Sequence, residues 1–103
     1  DVSPNCDCHD ENDTPIVGDI GMFASFDPVA IDQACIDAVM AQPPLPNTVL
    51  TESREELEAA GELDEAHEHD HFYITHPDTD WKSCIEHAEK IGLGSSSYEL
   101  IRI

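Results

Sequence analysis

The apolar residues of this chain follow two spacings, one typical of buried strands and one typical of helices. An apolar run from Ile16 to Ala24, interrupted by two glycines, predicts a largely buried strand over about residues 19–25. Residues 98–103 predict a second, short strand. Between these strands, apolar side chains recur at intervals of three and four residues, the spacing that predicts helices.

Two of the predicted helices carry clear start and stop signals. Asp27 is a predicted N-cap, Pro28 fits the first helical position, and a proline-rich stretch ends this helix near Gln42. Asp80 is the predicted N-cap of a later helix, which Gly92 ends in a left-handed cap.

The middle of the chain is strongly acidic. The chain has 23 acidic and 4 basic residues, for a formal net charge of −19. Nine of the acids lie between Glu52 and Asp70, which predicts a flexible acidic insertion over residues 47–70, with a weak helix near Thr51 or Ser53. The charge argues against independent binding to nucleic acid or to an anionic membrane, since both are polyanions. No run approaches the ~20 apolar residues of a membrane span.

The predicted order is therefore strand, helix, acidic insertion, helix and strand. We interpret it as a small two-layer α/β segment, one domain over residues 1–103 and part of a larger α/β domain. Because the sequence begins with an aspartate rather than a methionine, we expect it to be processed or cut from a longer protein. Its four cysteines are sparse, and we expect reduced thiols and a cytoplasmic location.

One candidate metal site lies near the start of the chain. Cys6, Cys8 and His9 offer two thiols and an imidazole, which are good ligands for zinc or iron. This group supplies at most three ligands, whereas a closed zinc site needs four. The alternatives are a loop with two incidental thiols and a redox-active pair.

A second candidate is the alternating run His67, His69 and His71. In an extended segment the three imidazoles would share one face and could bind a metal ion. The alternative is a solvated polar loop at the end of the acidic block.

A third hypothesis is an enzyme whose acid–base groups are Asp19, Asp27 or His76, with no reaction assigned. Asp27 also has a sufficient explanation as a helix cap. The sequence contains no nucleophile elbow, P-loop or dinucleotide-binding motif.

Several strings together resemble a known family. They are Asn5-Cys-Asp-Cys8, Thr14 to Gly21, Ala24 to Ala34, His71-Phe72, His76-Pro77, Asp80-Trp81, Gly92-Leu-Gly94 and Tyr98 to Leu100. The chain resembles the C-terminal region of the domain of unknown function 362 family, described as iron–sulfur centre proteins. The resemblance covers nearly the whole chain except the acidic insertion.

This resemblance implies a parent protein in which an α/β part and a ferredoxin-like part with two cysteine quartets for [4Fe–4S] clusters precede this region. None of those quartets is present here, so the clusters are not ligated by this chain. The implied function is redox or electron transfer, and the implied partners are those upstream parts. A stand-alone metal-binding module is the alternative. We also expect the segment to self-associate, because a strand without sheet neighbours exposes an edge.

Overall fold

The computed structural model describes residues 1–103 and contains four helices. They are α1 (Pro28–Met40), α2 (Val49–Ala60), α3 (His71–Thr75) and α4 (Trp81–Lys90). Helix α1 packs against α4, and α2 packs against α3. The chain therefore consists of two helix pairs joined by long irregular segments.

The predicted two-layer α/β fold is wrong, because the structure contains no sheet. Its only β pairing is an isolated antiparallel bridge between Val2 and Val17. The predicted strands at residues 19–25 and 98–103 have no regular secondary structure, and their backbones form no hydrogen bonds with other backbone groups. A strand is defined by its pairing, and this chain folds without placing a partner strand beside either segment.

Ile16 and Val17 lie at the centre of the fold. The backbone N–H of Ile16 donates to the carbonyl of Val2 at 2.8 Å, and the carbonyl of Ile16 accepts from the N–H of Leu45 at 2.9 Å. Both side chains are buried, at 1% and 0% exposed. They pack in one apolar cluster with Val39, Leu50, Leu57 and Ile74, so the N-terminal segment holds α1, α2 and α3 together.

Asp27 starts α1, as the sequence predicts, and has a second role. Its Oδ1 accepts hydrogen bonds from the N–H groups of Val29 at 2.9 Å and Ala30 at 3.0 Å. Its Oδ2 accepts from the N–H of Ser95 at 3.0 Å. The Ala30, Ser95 and Val29 donors lower the pKa of the Asp27 carboxyl. One carboxylate therefore both caps α1 and attaches the C-terminal segment to it.

The predicted limits of α4 are confirmed. Asp80 is its N-cap and accepts from the N–H of Lys82 at 3.2 Å. Gly92 follows the last turn with a φ of +76°, a left-handed conformation that glycine adopts without steric cost. Helix α1 also ends close to the predicted position, at Met40.

The acidic middle of the chain contributes to the core. Helix α2 begins earlier than predicted, because Thr48 is its N-cap and the N–H of Thr48 donates to Oγ1 of Thr51 at 2.9 Å. Leu50 and Leu57 of this helix are 0% and 8% exposed. The flexibility predicted for residues 47–70 stays a prediction, but these residues are not merely a surface addition.

Side-chain hydrogen bonds connect α3 to both of its neighbours. The hydroxyl of Ser53 in α2 donates to the carbonyl of Ile74. Asp70, the N-cap of α3, accepts from the N–H of Tyr73 and, through its other oxygen, from the indole N–H of Trp81 at 3.0 Å. Asp70 therefore links the start of α3 to the start of α4.

The fold is unusually open for its length. Only 14 of 103 residues are buried, and the accessible surface is 7328 Å². A compact protein of this mass exposes about 5,800 Å². The radius of gyration is 14.7 Å, whereas about 13 Å is typical of a compact chain of this length.

No helix combines the length and apolar character needed to cross a bilayer.

We predict that Gly94→Ala detaches the C-terminal segment from α1. A Cβ on Gly94 would lie 2.0 Å from Oδ1 of Asp27, so the carboxylate and the segment could not both keep their positions. The expected loss is about 1–3 kcal/mol in the free energy of unfolding. It should appear in urea titrations, together with faster amide hydrogen exchange at Ser95.

Gly18→Ala is the matched control, because a Cβ at Gly18 meets no atom within 4 Å. Equal stability of the two variants would contradict the role assigned to the contact between Gly94 and Asp27.

Candidate functional site

The loop that carries Cys6 and Cys8 is closed at its base by two asparagines. We call residues 5–12 the dithiol loop. The N–H of Asn5 donates to Oδ1 of Asn12 at 3.3 Å, and Nδ2 of Asn12 donates back to the carbonyl of Asn5 at 3.1 Å. The bridge between Val2 and Val17 lies just outside this pair, so the loop projects from the buried centre of the fold.

His76 holds the chain at the entrance to the dithiol loop. Its Nε2 donates a hydrogen bond to the carbonyl of Pro4. This ring nitrogen must carry the proton, because a carbonyl oxygen only accepts. This contact joins residues 72 positions apart. His76 therefore positions the loop, which the sequence did not reveal because Pro4 and His76 are distant along the chain.

A tight turn brings the two thiols together. The N–H of His9 donates to the carbonyl of Cys6 at 2.9 Å and closes the turn. The sulfurs of Cys6 and Cys8 are 2.9 Å apart, and the N–H of Cys8 lies 3.5 Å from the Cys6 sulfur. Both cysteines are free and exposed, so the pair is open to solvent and to reagents.

The two thiols are electrostatically unequal. The side-chain hydrogen bond from Cys8, followed by the Cys8 backbone N–H, lowers the pKa of Cys6. The same side-chain hydrogen bond and the negative charge of Cys6 raise the pKa of Cys8. Cys6 is therefore the thiol that ionises first, and Cys8 is the thiol that donates to it. This asymmetry is typical of dithiols in which one sulfur is the attacking nucleophile.

The imidazole of His9 does not join the two sulfurs. Its Nδ1 lies 2.7 Å from the carbonyl oxygen and 3.1 Å from the N–H of Glu11. No group of three or more His, Cys, Asp or Glu side chains in the chain is arranged to hold a metal ion. A metal at Cys6 and Cys8 therefore stays a prediction that requires ligands from outside the loop.

The structure does not bring the three histidines of the alternating run together. His67 lies 2.7 Å from Oδ1 of Asp64 and stacks on the ring of Tyr73. His69 is highly exposed and lies 3.0 Å from a carboxylate oxygen of Glu68. The three imidazoles would share one face only on an extended backbone. Instead, His67 and His69 lie in turns, and His71 is the first residue of α3.

His71, the third member of the run, is part of the core. It is 5% exposed, and its Nε2 donates to the carbonyl of Gln42 at 2.8 Å. Its Nδ1 is buried without a partner. This histidine connects the start of α3 to the end of α1, so its role is structural.

The acid–base candidates of the enzyme hypothesis have separate surroundings. Asp19 is almost fully exposed, Asp27 caps α1, and His76 contacts Pro4. The structure therefore shows no shared site for these three groups.

The remaining two cysteines line one cavity, which the sequence did not reveal. Cys35 of α1 and Cys84 of α4 both line a cavity of about 300 Å³, together with Trp81. Burial, and then the charge of Asp32, raise the pKa of Cys35. Helical spacing places both cysteines on apolar faces, but only the observed α1–α4 packing shows that the two faces meet.

Comparison with known families gives one match. A family model described as Domain of unknown function (DUF362) matches residues 1–37, the part of the chain that holds the dithiol loop and most of α1. This confirms the resemblance inferred from the sequence over those residues. No curated protein and no solved structure matches the chain.

We predict that Cys8→Ala shifts the pH dependence of Cys6 alkylation to higher pH. The variant removes the main donor that lowers the Cys6 pKa, so more alkaline conditions are needed to form the thiolate. Iodoacetamide labelling across a pH series, read by mass spectrometry at Cys6, measures the midpoint.

Cys84→Ser is the control, since it removes an exposed thiol outside the loop. An identical Cys6 midpoint in wild type and Cys8→Ala would show that the sulfur pair does not set this reactivity.

Proposed function

We propose that this chain is the C-terminal segment of a cytoplasmic iron–sulfur protein of the electron-transfer type, and that its own contribution is the redox-active Cys6/Cys8 dithiol. The observation that carries the proposal is the exposed pair of sulfurs 2.9 Å apart with opposite pKa shifts. The match of residues 1–37 to DUF362 supports the family context, although the model's description assigns no function.

The dithiol has the groups needed for thiol–disulfide exchange. The Cys6 thiolate attacks a disulfide substrate, and one substrate sulfur leaves as a thiolate. Cys8 then gives up its proton to solvent, and its sulfur attacks the Cys6 sulfur. The Cys6–Cys8 bond forms, the second substrate thiolate leaves, and two electrons have passed from the dithiol to the substrate.

The residues of this chain do not fit a [4Fe–4S] cluster. Such a cluster is held by four cysteine thiolates. Only Cys6 and Cys8 come together in the dithiol loop, while Cys35 and Cys84 line the hollow between α1 and α4. The clusters would therefore be held by other parts of the protein, and no step of the dithiol chemistry passes through them.

The iron–sulfur context is tested by the complete reading frame that encodes this segment. We expect two upstream cysteine quartets of the ferredoxin type, because this chain holds none. A reading frame without them would contradict the iron–sulfur part of the proposal and leave the dithiol part intact.

The dithiol part is tested by oxidation of the purified chain. We expect oxidised glutathione to produce an intramolecular Cys6–Cys8 disulfide, because the ionised Cys6 lies beside its resolving partner. Peptide mapping by mass spectrometry identifies which cysteines have lost hydrogen. The Cys35→Ser/Cys84→Ser variant should oxidise in the same way, whereas Cys6→Ser/Cys8→Ser should form no such bond.

Stable mixed disulfides with glutathione at Cys6, with no transfer to Cys8, would contradict a redox-active pair. A Cys35–Cys84 disulfide as the main product would move the activity to the hollow between α1 and α4.

A second candidate function is binding of a soft metal ion by the same two thiols, because two converging sulfurs can chelate one ion. This candidate is tested by the zinc content of Cys6→Ser/Cys8→Ser and of Cys35→Ser/Cys84→Ser after incubation with zinc. Zinc lost only in Cys6→Ser/Cys8→Ser supports this candidate. Equal zinc content in the two double variants would contradict it.

A further inference from the structure

Two segments without secondary structure form the walls of one large groove. Residues 20–25 and 98–103 line a space of about 750 Å³, and Ala30, Ile31 and Ala34 of α1 line it as well. Neither wall forms any hydrogen bond between its own backbone and another backbone group of the chain. The groove therefore combines apolar residues of α1 with two walls whose backbone N–H and C=O groups are unpaired within the chain. A β-strand can pair with such groups.

The second wall is held beside α1 at two points. The N–H of Ser95 donates to Asp27 at the start of the helix, and the hydroxyl of Tyr98 donates to Oδ2 of Asp37 at 2.6 Å. The segment thus follows α1 from its N-terminus toward its C-terminus. These anchors keep residues 98–103 next to the helix although no strand pairs with them.

The walls carry most of the exposed apolar side chains. Six of the nine large hydrophobic residues with high exposure lie in or beside them: Met22, Phe26, Tyr98, Leu100, Ile101 and Ile103. The whole chain exposes about 1,500 Å² more surface than a compact protein of its mass. This excess belongs to the whole chain, and the clustering of exposed apolar side chains marks the groove as the part of the surface that a partner would cover.

Charge indicates the kind of partner. Only Glu99 and Arg102 are charged among the residues that line the groove, and their charges cancel. The net charge of −19 therefore lies outside it. Charged residues are depleted at the centre of interfaces, as they are here. A second copy of the chain would bring another −19 and repel the first, whereas basic residues on a partner would be attracted.

We propose that this groove binds a single apolar β-strand of a polypeptide partner, with basic residues at both ends of that strand. The strand pairs with the free backbone groups of the walls and covers their exposed apolar side chains, while its basic ends are attracted by the net charge of −19 that the rest of the chain carries. This interaction surface goes beyond the dithiol function and does not depend on it.

The experiment measures binding of a synthetic peptide to the full chain by calorimetry. The probe has about six alternating isoleucine and threonine residues, flanked by lysine pairs. Proline in place of threonine removes backbone donors, and glutamate in place of lysine reverses the charge. We expect only the original peptide to bind, and amide hydrogen exchange to slow in residues 20–25 and 98–103.

Variants on exposed positions keep the test independent of folding. Ile101→Asp places a charge in the groove and should weaken peptide binding at least about tenfold. Ile91→Asp is the matched control, because Ile91 is similarly exposed, at 62% against 73%, and lies outside the groove. Cys6→Ser/Cys8→Ser should bind the peptide normally, so this proposal and the dithiol proposal fail separately.

Four results would overturn the proposal. Two concern the peptides: no binding of the lysine-flanked peptide, and equal binding of its proline version. Another is protection from exchange at other segments. The fourth is a dimer in sedimentation without peptide that Ile101→Asp dissociates, because the occupant would then be a second copy, in agreement with the self-association expected from the sequence.

Discussion

The fold depends on the burial of Ile16 and Val17 between the helices. Their side chains contact the apolar faces of α1, α2 and α3, and the backbone of Ile16 bonds on one side to Val2 and on the other to Leu45. A chain with so few buried residues has no second cluster to replace this one. The dithiol loop extends from the same point, since the bridge between Val2 and Val17 closes its base. Core packing and loop geometry therefore cannot be changed independently.

The helices were predictable because their signals are local. Asp27, Asp80 and Gly92 cap helices through hydrogen bonds or backbone angles that involve only a few neighbouring residues. The sheet was predicted wrongly because strand formation depends on a partner, and residues 19–25 and 98–103 have none within this chain. The contribution of α2 to the core was not predicted, because acidic residues dominate this part of the sequence and only Leu50 and Leu57 form the buried face of the helix.

The candidate site was predictable to a similar extent. Spacing along the chain identified Cys6 and Cys8, because two residues in one turn are close whatever the rest of the fold does. Spacing left open whether the histidine run converges, which requires an extended backbone, and it did not reveal that His76 contacts Pro4. Nor did it show that Cys35 and Cys84 line one cavity, because that depends on how α1 and α4 pack.

The hydrogen bond from Ser95 to Asp27 also bears on the order in which the chain folds. It joins residues 68 positions apart, whereas the caps of α1 close within three residues. Long loops cost more chain entropy to close than short ones, and contacts of this kind form after local ones. We therefore expect the C-terminal segment to dock after α1 has formed. A protease that samples brief openings of the native state should trim residues after Ser95 while α1 remains intact.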